Sequence, residues 1–344
     1  MKIFLLTFLV LLAVSCAEKQ EPKENSVYFW KTVYKNDSTE NAFLAEHKIK
    51  KIYMRYFDVI VDPKTQKPKP NATITFKDIP SKDIEIIPTV FITENCIQKN
   101  LDTLYKILAD RILQINKTHK IPQAKEIQID CDFTAKSMKK YYNFLSLLKN
   151  YLKEKAIKLS VTIRLHQLSM EVPPCDYGVL MLYNTGNYRD KKCENPILGF
   201  KEVKPYLKHL KKYGLKMRAA LPNFKWQILF GKNGFKNIVY NQNLKDSTLF
   251  QKISDDVFMV IRSKDIPVYI STETFNVMMS ISDTIYEKKA DFKEIEKVMT
   301  EISEIRKDIV KSTIIYDLNS NNINNLTIKE YEKIFNFDDS TAAF

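Results

Sequence analysis

Between two amphipathic helical stretches, residues 100–116 and 137–155, the chain carries Glu126-Ile127-Gln128-Ile129-Asp130-Cys131-Asp132-Phe133-Thr134. These residues alternate with period 2, the pattern of a β-strand. Ile127, Ile129, Cys131 and Phe133 point one way, and Gln128, Asp130, Asp132 and Thr134 point the other. With helices flanking the strand, the apolar face is the one a helical layer covers. The polar face must then look into a barrel or a cleft, which few folds permit. Two carboxylates at the carboxyl end of such a strand sit where α/β folds keep their chemistry.

The rest of the chain repeats the unit. Strands are predicted at residues 27–32, 51–61, 85–92, 126–134, 158–165, 177–183, 215–221 and 267–271. Helices are predicted at 41–47, 100–116, 137–155, 200–213, 249–263 and 291–308, with a hairpin at 72–76. Eight strands alternating with helices close most simply as an α/β (β/α)8 TIM-type barrel, here over residues 26–312. Residues 313–344 are then a C-terminal strand/helix extension packed on the barrel. An open doubly wound sheet is the competing layout, but no Gly-rich phosphate loop supports it, and the chain has only six Gly.

The first residues, Met1-Lys2 followed by an apolar run from Ile3 to Val14 and Ser15-Cys16, describe a signal peptide over 1–15 rather than a membrane span. Leu12-Ala13-Val14-Ser15-Cys16 resembles a lipoprotein cleavage box, with Ala13 where Leu is usual. Lipidation of Cys16, a polar tether over 16–25 and attachment to the bacterial cell envelope are therefore expected. The remaining Cys96, Cys131, Cys175 and Cys193 show no zinc or redox spacing, so free thiols, no metal and no cofactor are expected. The net charge of +13 comes from 54 Lys+Arg against 41 Asp+Glu and is spread over helix faces. That distribution reads as a solvated surface without a nucleic-acid partner, and a monomer is expected.

Strand five places Ser160, Thr162, Arg164 and His166 on one face, so an inward Arg164 neighbours Asp130 and Asp132. A guanidinium there would hold Asp130 ionised, leaving Asp132 as the upper, ligand-exposed carboxylate. His166 reads as a polar loop residue. Trp30, Tyr183, Phe224 and Trp226 fall at strand ends, where aromatic faces can stack on sugar rings, and Phe230 belongs to the same candidate platform.

Several short motifs then line up. Asp130-x-Asp132, Met181-x-Tyr183-Asn184, Ala220-Leu221-Pro222-x-Phe224 and Leu159-Ser160-Val161-Thr162 occur in order along the strands. Together they resemble the chitinase-type glycoside hydrolases and their barrel relatives, over most of residues 27–274. The resemblance implies a glycan partner at the carboxyl-terminal mouth, contacted by Arg164, Tyr183, Asn184, Trp226 and Trp30. It also carries two departures. The family's proton-donating Glu is Thr134 here, and the motif's first Asp is Ile127. Thr cannot protonate a leaving group at neutral pH. Hydrolysis would need other carboxylates: Asp130 and Asp132 as candidates, with Glu94, Glu273 or Asp58 as partners across the mouth. Two function classes stay open, a glycoside hydrolase with a rewired carboxylate pair and a non-catalytic glycan-binding or structural lipoprotein on a hydrolase scaffold.

Overall fold

The computed structural model describes residues 25–99, 101–270 and 273–337. The expected signal peptide, Cys16 and the expected tether up to residue 24 lie outside the described residues. Eight parallel strands form a closed barrel: β1 (Ser26–Phe29), β2 (Lys51–Val61), β3 (Glu85–Ile92), β4 (Glu126–Asp130), β5 (Lys158–Ile163), β6 (Tyr177–Met181), β7 (Met217–Pro222) and β8 (Thr313–Tyr316). Closure comes from β1, which pairs with both β8 and β2. The barrel is packed by α1 (Ser38–Glu46), α2 (Leu104–Thr118), α3 (Met138–Lys153), α4 (Phe200–Leu207), α5 (Phe292–Ile305) and α6 (Ile328–Phe335).

Each helix buries one stripe. In α3, Tyr141, Phe144, Leu145, Leu148 and Leu152 recur at helical spacing and are buried in the same core as Ile127, Ile129, Cys131 and Phe133. Every such side chain taken fully from water stabilises the fold by roughly 1.5–3 kcal/mol. The start of α5 is fixed by Asp291, whose carboxylate accepts from the backbone N–H of Lys293.

The count of eight strands is met, but not by the eight predicted. Of the strand predicted at 267–271, residue 271 lies outside the described residues, and residues 267–270 do not enter the barrel. They belong to an antiparallel hairpin, Lys264–Ile270 with Glu273–Met279, inside a long insertion between β7 and α5. The eighth strand is Thr313–Tyr316, hydrogen-bonded between β7 and β1, so the barrel extends past residue 312. The helix predicted at 249–263 is also absent. Phe250–Lys252 and Val257–Val260 are strands there, paired antiparallel. They join Lys225–Gly231, Gly234–Val239 and Thr284–Lys289 in a five-stranded sheet with its own core of Leu229, Val239, Val260 and Ile285. Between β2 and β3 no helix forms; Pro68–Asn71 pairs with the end of β2, and Thr75–Phe76 pairs with Val33–Tyr34.

The alternation in β4 is in the expected register. Its polar side chains face the barrel axis, where they build three levels. At the amino-terminal end, Arg218 Nη1 donates to both Glu126 carboxylate oxygens at 3.0 Å. At mid-height, Gln128 Oε1 accepts from the Tyr28 hydroxyl at 2.8 Å, and the Thr89 hydroxyl lies 3.4 Å away. Asp130 occupies the upper level. Most of these groups find partners, while Gln128 Nε2 is buried without one.

Candidate functional site

Asp130 ends β4 and is 4% exposed. Its Oδ1 accepts from the Thr162 hydroxyl at 2.6 Å and from Arg164 Nη2 at 3.1 Å. The same guanidinium reaches Asp132 through Nε, so one arginine from the end of β5 grips both carboxylates. Asp132 remains 57% exposed and is the member open to solvent. Burial works against the charge of Arg164, but Asp130 and Asp132 outweigh it and raise the guanidinium's pKa. Arg164 Nη1 is buried and has no hydrogen-bond partner among the described residues. The cluster therefore holds one unused donor.

Arg164 sits where it does because β5 stops at Ile163. Its backbone N–H donates to Gln167 Oε1 at 2.8 Å and opens a short 3-10 helix, Leu165–Ser169. The turn breaks the strand alternation, which puts His166 on the exposed surface instead of in the mouth.

The aromatic residues predicted at strand ends converge into an arc across the mouth. Trp30 packs against Tyr28 and Tyr316, each at 5.8 Å between ring centroids. Tyr316 stacks on Tyr183 at 4.6 Å, Tyr183 meets Phe224 at 6.2 Å, and Phe224 meets Trp226 at 5.5 Å. Arg55 lies 5.7 Å over the Trp30 ring and is paired with Asp58, Nε to Oδ1, at 2.7 Å. Asp58 is thus tied to its own strand. The arc adjoins the carboxylate cluster: burial raises the Tyr183 hydroxyl pKa, and the charges of Arg164 and Asp130 reach it in opposite senses. Phe230 is not part of the platform. It is 2% exposed, packed on Phe235 and Tyr286 inside the inserted sheet.

Beside the arc a cleft of about 440 Å³ opens between the ends of β6, β7 and β8 and the inserted sheet. Asn184, Trp226, Tyr240, Tyr316, Asp317 and Asn322 are among its lining residues. Asn184 has φ of 55°, a left-handed conformation that Asn tolerates, and it turns the chain away directly after Tyr183. A larger groove of about 740 Å³ lies among the outer helices, lined by Phe200, Phe292, Lys333 and Phe337. The smaller cleft is the one that shares Phe224, Trp226 and Tyr316 with the aromatic arc.

Glu94 and Glu273 have different fates. Glu273 lies in the inserted hairpin opposite Ile270, outside the eight barrel strands. Glu94, just past β3, reaches across to the loop after β4. Its Oε1 accepts from the Thr134 hydroxyl at 2.5 Å and the Ser137 hydroxyl at 2.8 Å. Those hydrogen bonds, Thr134 first, hold its carboxyl below the usual range. Tyr316, Asp317 and Arg55 are mouth residues that the motifs do not single out. The signal for the first two was Thr313-Ile314-Ile315-Tyr316-Asp317 following an amphipathic helix, as β4 and β5 follow α2 and α3.

The four cysteines Cys96, Cys131, Cys175 and Cys193 are free. Among the described residues no group of His, Cys, Asp and Glu is arranged to hold a metal ion, and no helix is long and apolar enough to cross a membrane.

No protein-family model matches the chain, and no curated protein sequence matches it. Solved structures do. The chitinase from Chromobacterium violaceum superposes with a TM-score of 0.56 at 10% identity, covering 92% of this chain and 100% of that one. The fold is that of the chitinase-type barrels. The C-terminal domain of a putative chitinase from Desulfitobacterium hafniense gives 0.55 at 11% identity, over 92% of this chain and 99% of that one. The spore cortex-lytic enzyme SleL of Bacillus megaterium gives 0.55 at 13% identity, over 92% of this chain and 74% of that one. At such identities the likeness is one of fold, and the chemistry has to be argued from the residues in the mouth.

Proposed function

We propose that this chitinase-type barrel binds a glycan at its carboxyl-terminal mouth, as an exported lipoprotein held to the cell envelope through Cys16. The observation that carries the reading is the aromatic arc from Trp30 to Trp226 running beside the Asp130–Arg164–Asp132 cluster and into an open cleft. Stacking faces beside fixed polar groups are what a sugar site requires. The chitinases and the cortex-lytic enzyme of the same fold make chitin or cortex glycan the first ligands to try.

Binding is favoured over the family's hydrolysis because the position of the acid is Thr134, and both motif carboxylates are committed to Arg164. Removing the stacking face by Trp226→Ala is expected to weaken oligosaccharide binding about tenfold, given the ~0.5–1.5 kcal/mol that aromatic contacts contribute beyond area burial. Asp132→Asn is expected to weaken it by less, about 1 kcal/mol for one polar contact. Titration of both variants against soluble chitin and peptidoglycan fragments checks this. Unchanged affinity in both would remove the mouth from consideration.

One observation favours the second reading, a hydrolase. Glu94 delivers a carboxylate within 2.5 Å of the Thr134 hydroxyl, the place of the absent Glu. If that carboxylate is catalytic, chromogenic glycosides are turned over and Glu94→Gln lowers the rate by ~10²–10⁴. Turnover unaffected by this change would exclude Glu94 from the chemistry.

The lipid anchor rests on the apolar run and Leu12-Ala13-Val14-Ser15-Cys16. Mass spectrometry of the membrane fraction is expected to find an acylated Cys16 as the first residue, and Cys16→Ser to leave the precursor unprocessed. A mature protein beginning elsewhere would end this part of the reading.

A further inference from the structure

We infer that Asp317 is the proton-bearing contact of the cleft: it enters the complex as a neutral carboxyl and donates a hydrogen bond to a ligand oxygen. This rests on the glycan reading and deepens it, because it assigns this wall of the cleft a donor for a ligand oxygen. Asp317 directly follows Tyr316 at the end of β8 and lines the cleft with Trp226, Tyr240 and Asn184. It is 7% exposed.

Its backbone is held by one buried side chain. Asn223 Oδ1 accepts from the Asp317 N–H at 2.7 Å, and Asn223 Nδ2 donates to the Asp317 carbonyl at 3.1 Å. Asn223 is itself fixed by the Tyr331 hydroxyl at 3.0 Å. The backbone that carries the carboxyl is thereby fixed.

The surroundings leave its charge poorly compensated. From the short helix Ser320–Ile323, Asn322 Nδ2 donates to Asp317 Oδ1 at 2.7 Å. Lys31, from the chain after β1, is the cation that acts on it, but Lys31 is already paired with Glu40 of α1 at 2.5 Å. Glu40 repels the carboxylate. Tyr316 and Tyr331 face it from β8 and α6, and Lys225 belongs to the cleft lining. Burial therefore dominates and pushes the Asp317 carboxyl up to about 6. An amide at this position would accept the same hydrogen bond from Asn322 without that penalty. A carboxyl that titrates near 6 carries its proton on the acid side of neutrality and can then donate it to a ligand oxygen.

The test is binding of a soluble chitin oligosaccharide to the full mature chain, by calorimetry between about pH 5 and pH 8. If only the neutral carboxyl binds, the affinity of the wild type falls about tenfold per pH unit above ~6, in proportion to the competent fraction. Runs in two buffers of different ionisation enthalpy should show close to one proton taken up per ligand at the alkaline end. Asp317→Asn, whose amide donates at every pH, is expected to bind with a flat profile near the acid-limb affinity. Asp317→Ala is expected to be flat and weak. A flat wild-type profile, or an unchanged slope in Asp317→Asn, would overturn the inference while leaving the glycan reading in place. Absence of binding at every pH by the wild type would overturn both.

Discussion

Replacing Arg164 by methionine is expected to destabilise the fold by about 3–5 kcal/mol at neutral pH, the cost of removing one member of a buried ion pair. Asp130 would stay in the barrel axis, 4% exposed, with only the Thr162 hydroxyl at 2.6 Å still donating to it. Nothing else charged replaces the guanidinium at that level, because the next cation down the axis, Arg218, is committed to Glu126. The loss belongs to the orphaned carboxylate and not to the arginine's packing. Combining Arg164→Met with Asp130→Asn should therefore recover most of it, since the amide needs no counter-charge. Asp132→Asn alone should cost well under 1 kcal/mol, as Asp132 is 57% exposed and its pairing is screened by water. Arg164→Lys is not a conservative change here, because a point charge cannot span both carboxylates as the planar fork does. Chemical denaturation of the four variants provides the measurement. Equal losses for Arg164→Met with and without Asp130→Asn would show that the pair is not the source of the stability.

That prediction depends on a register visible in the sequence. Period-2 alternation over residues 126–134 between amphipathic helices left one face for Asp130 and Asp132, and the neighbouring strand had to bring Arg164 beside them. The aromatic arc was legible for the same reason: Trp30, Tyr183 and Phe224 lie just past strands whose order a parallel barrel dictates, and Trp226 follows at the start of the inserted strand Lys225–Gly231. What could not be read was which segment closes the barrel. Pro-Val-Tyr-Ile at 267–270 and Thr-Ile-Ile-Tyr at 313–316 both carry strand propensity, but propensity measures fit to any pleated surface, not to a particular sheet. Pro267 argued against a central strand, since it cannot donate to a ladder, and in the two-stranded hairpin that defect is tolerated.

The insertion was illegible on other grounds. Leu249, Phe250, Ile253, Val257 and Val260 satisfy helical spacing, yet Ser254-Asp255-Asp256 turns the chain and the two halves pair as strands. Periodicity over so short a run does not separate the alternatives. The contact of Glu94 with Thr134 spans 40 positions and depends on where two loops end, which no local pattern encodes.

Asp317 supplies the second large expected effect, and it has the opposite sign. Its folded-state carboxyl titrates near 6, against an ordinary value of 3.8. Folding therefore favours the protonated form, so stability is full below the unfolded value and falls as pH rises through this window. Above about pH 7 the ionised, buried carboxylate costs on the order of 3 kcal/mol relative to a neutral group, at ~1.4 kcal/mol per unit of displacement. Asp317→Asn keeps an acceptor for Asn322 Nδ2 and removes the charge. It is expected to match the wild type at pH 4 and to exceed it by up to about 3 kcal/mol at pH 8, with the gap opening between those limits. Thermal melts across that range should show the midpoint of the variant rising above that of the wild type by on the order of 5 °C or more at the alkaline end. A gap already present at pH 4 would mean that the amide stabilises by packing and that burial of the charge is not the cause. Stability alone would favour the amide, so the cost at Asp317 is what the inferred ligand contact would have to offset.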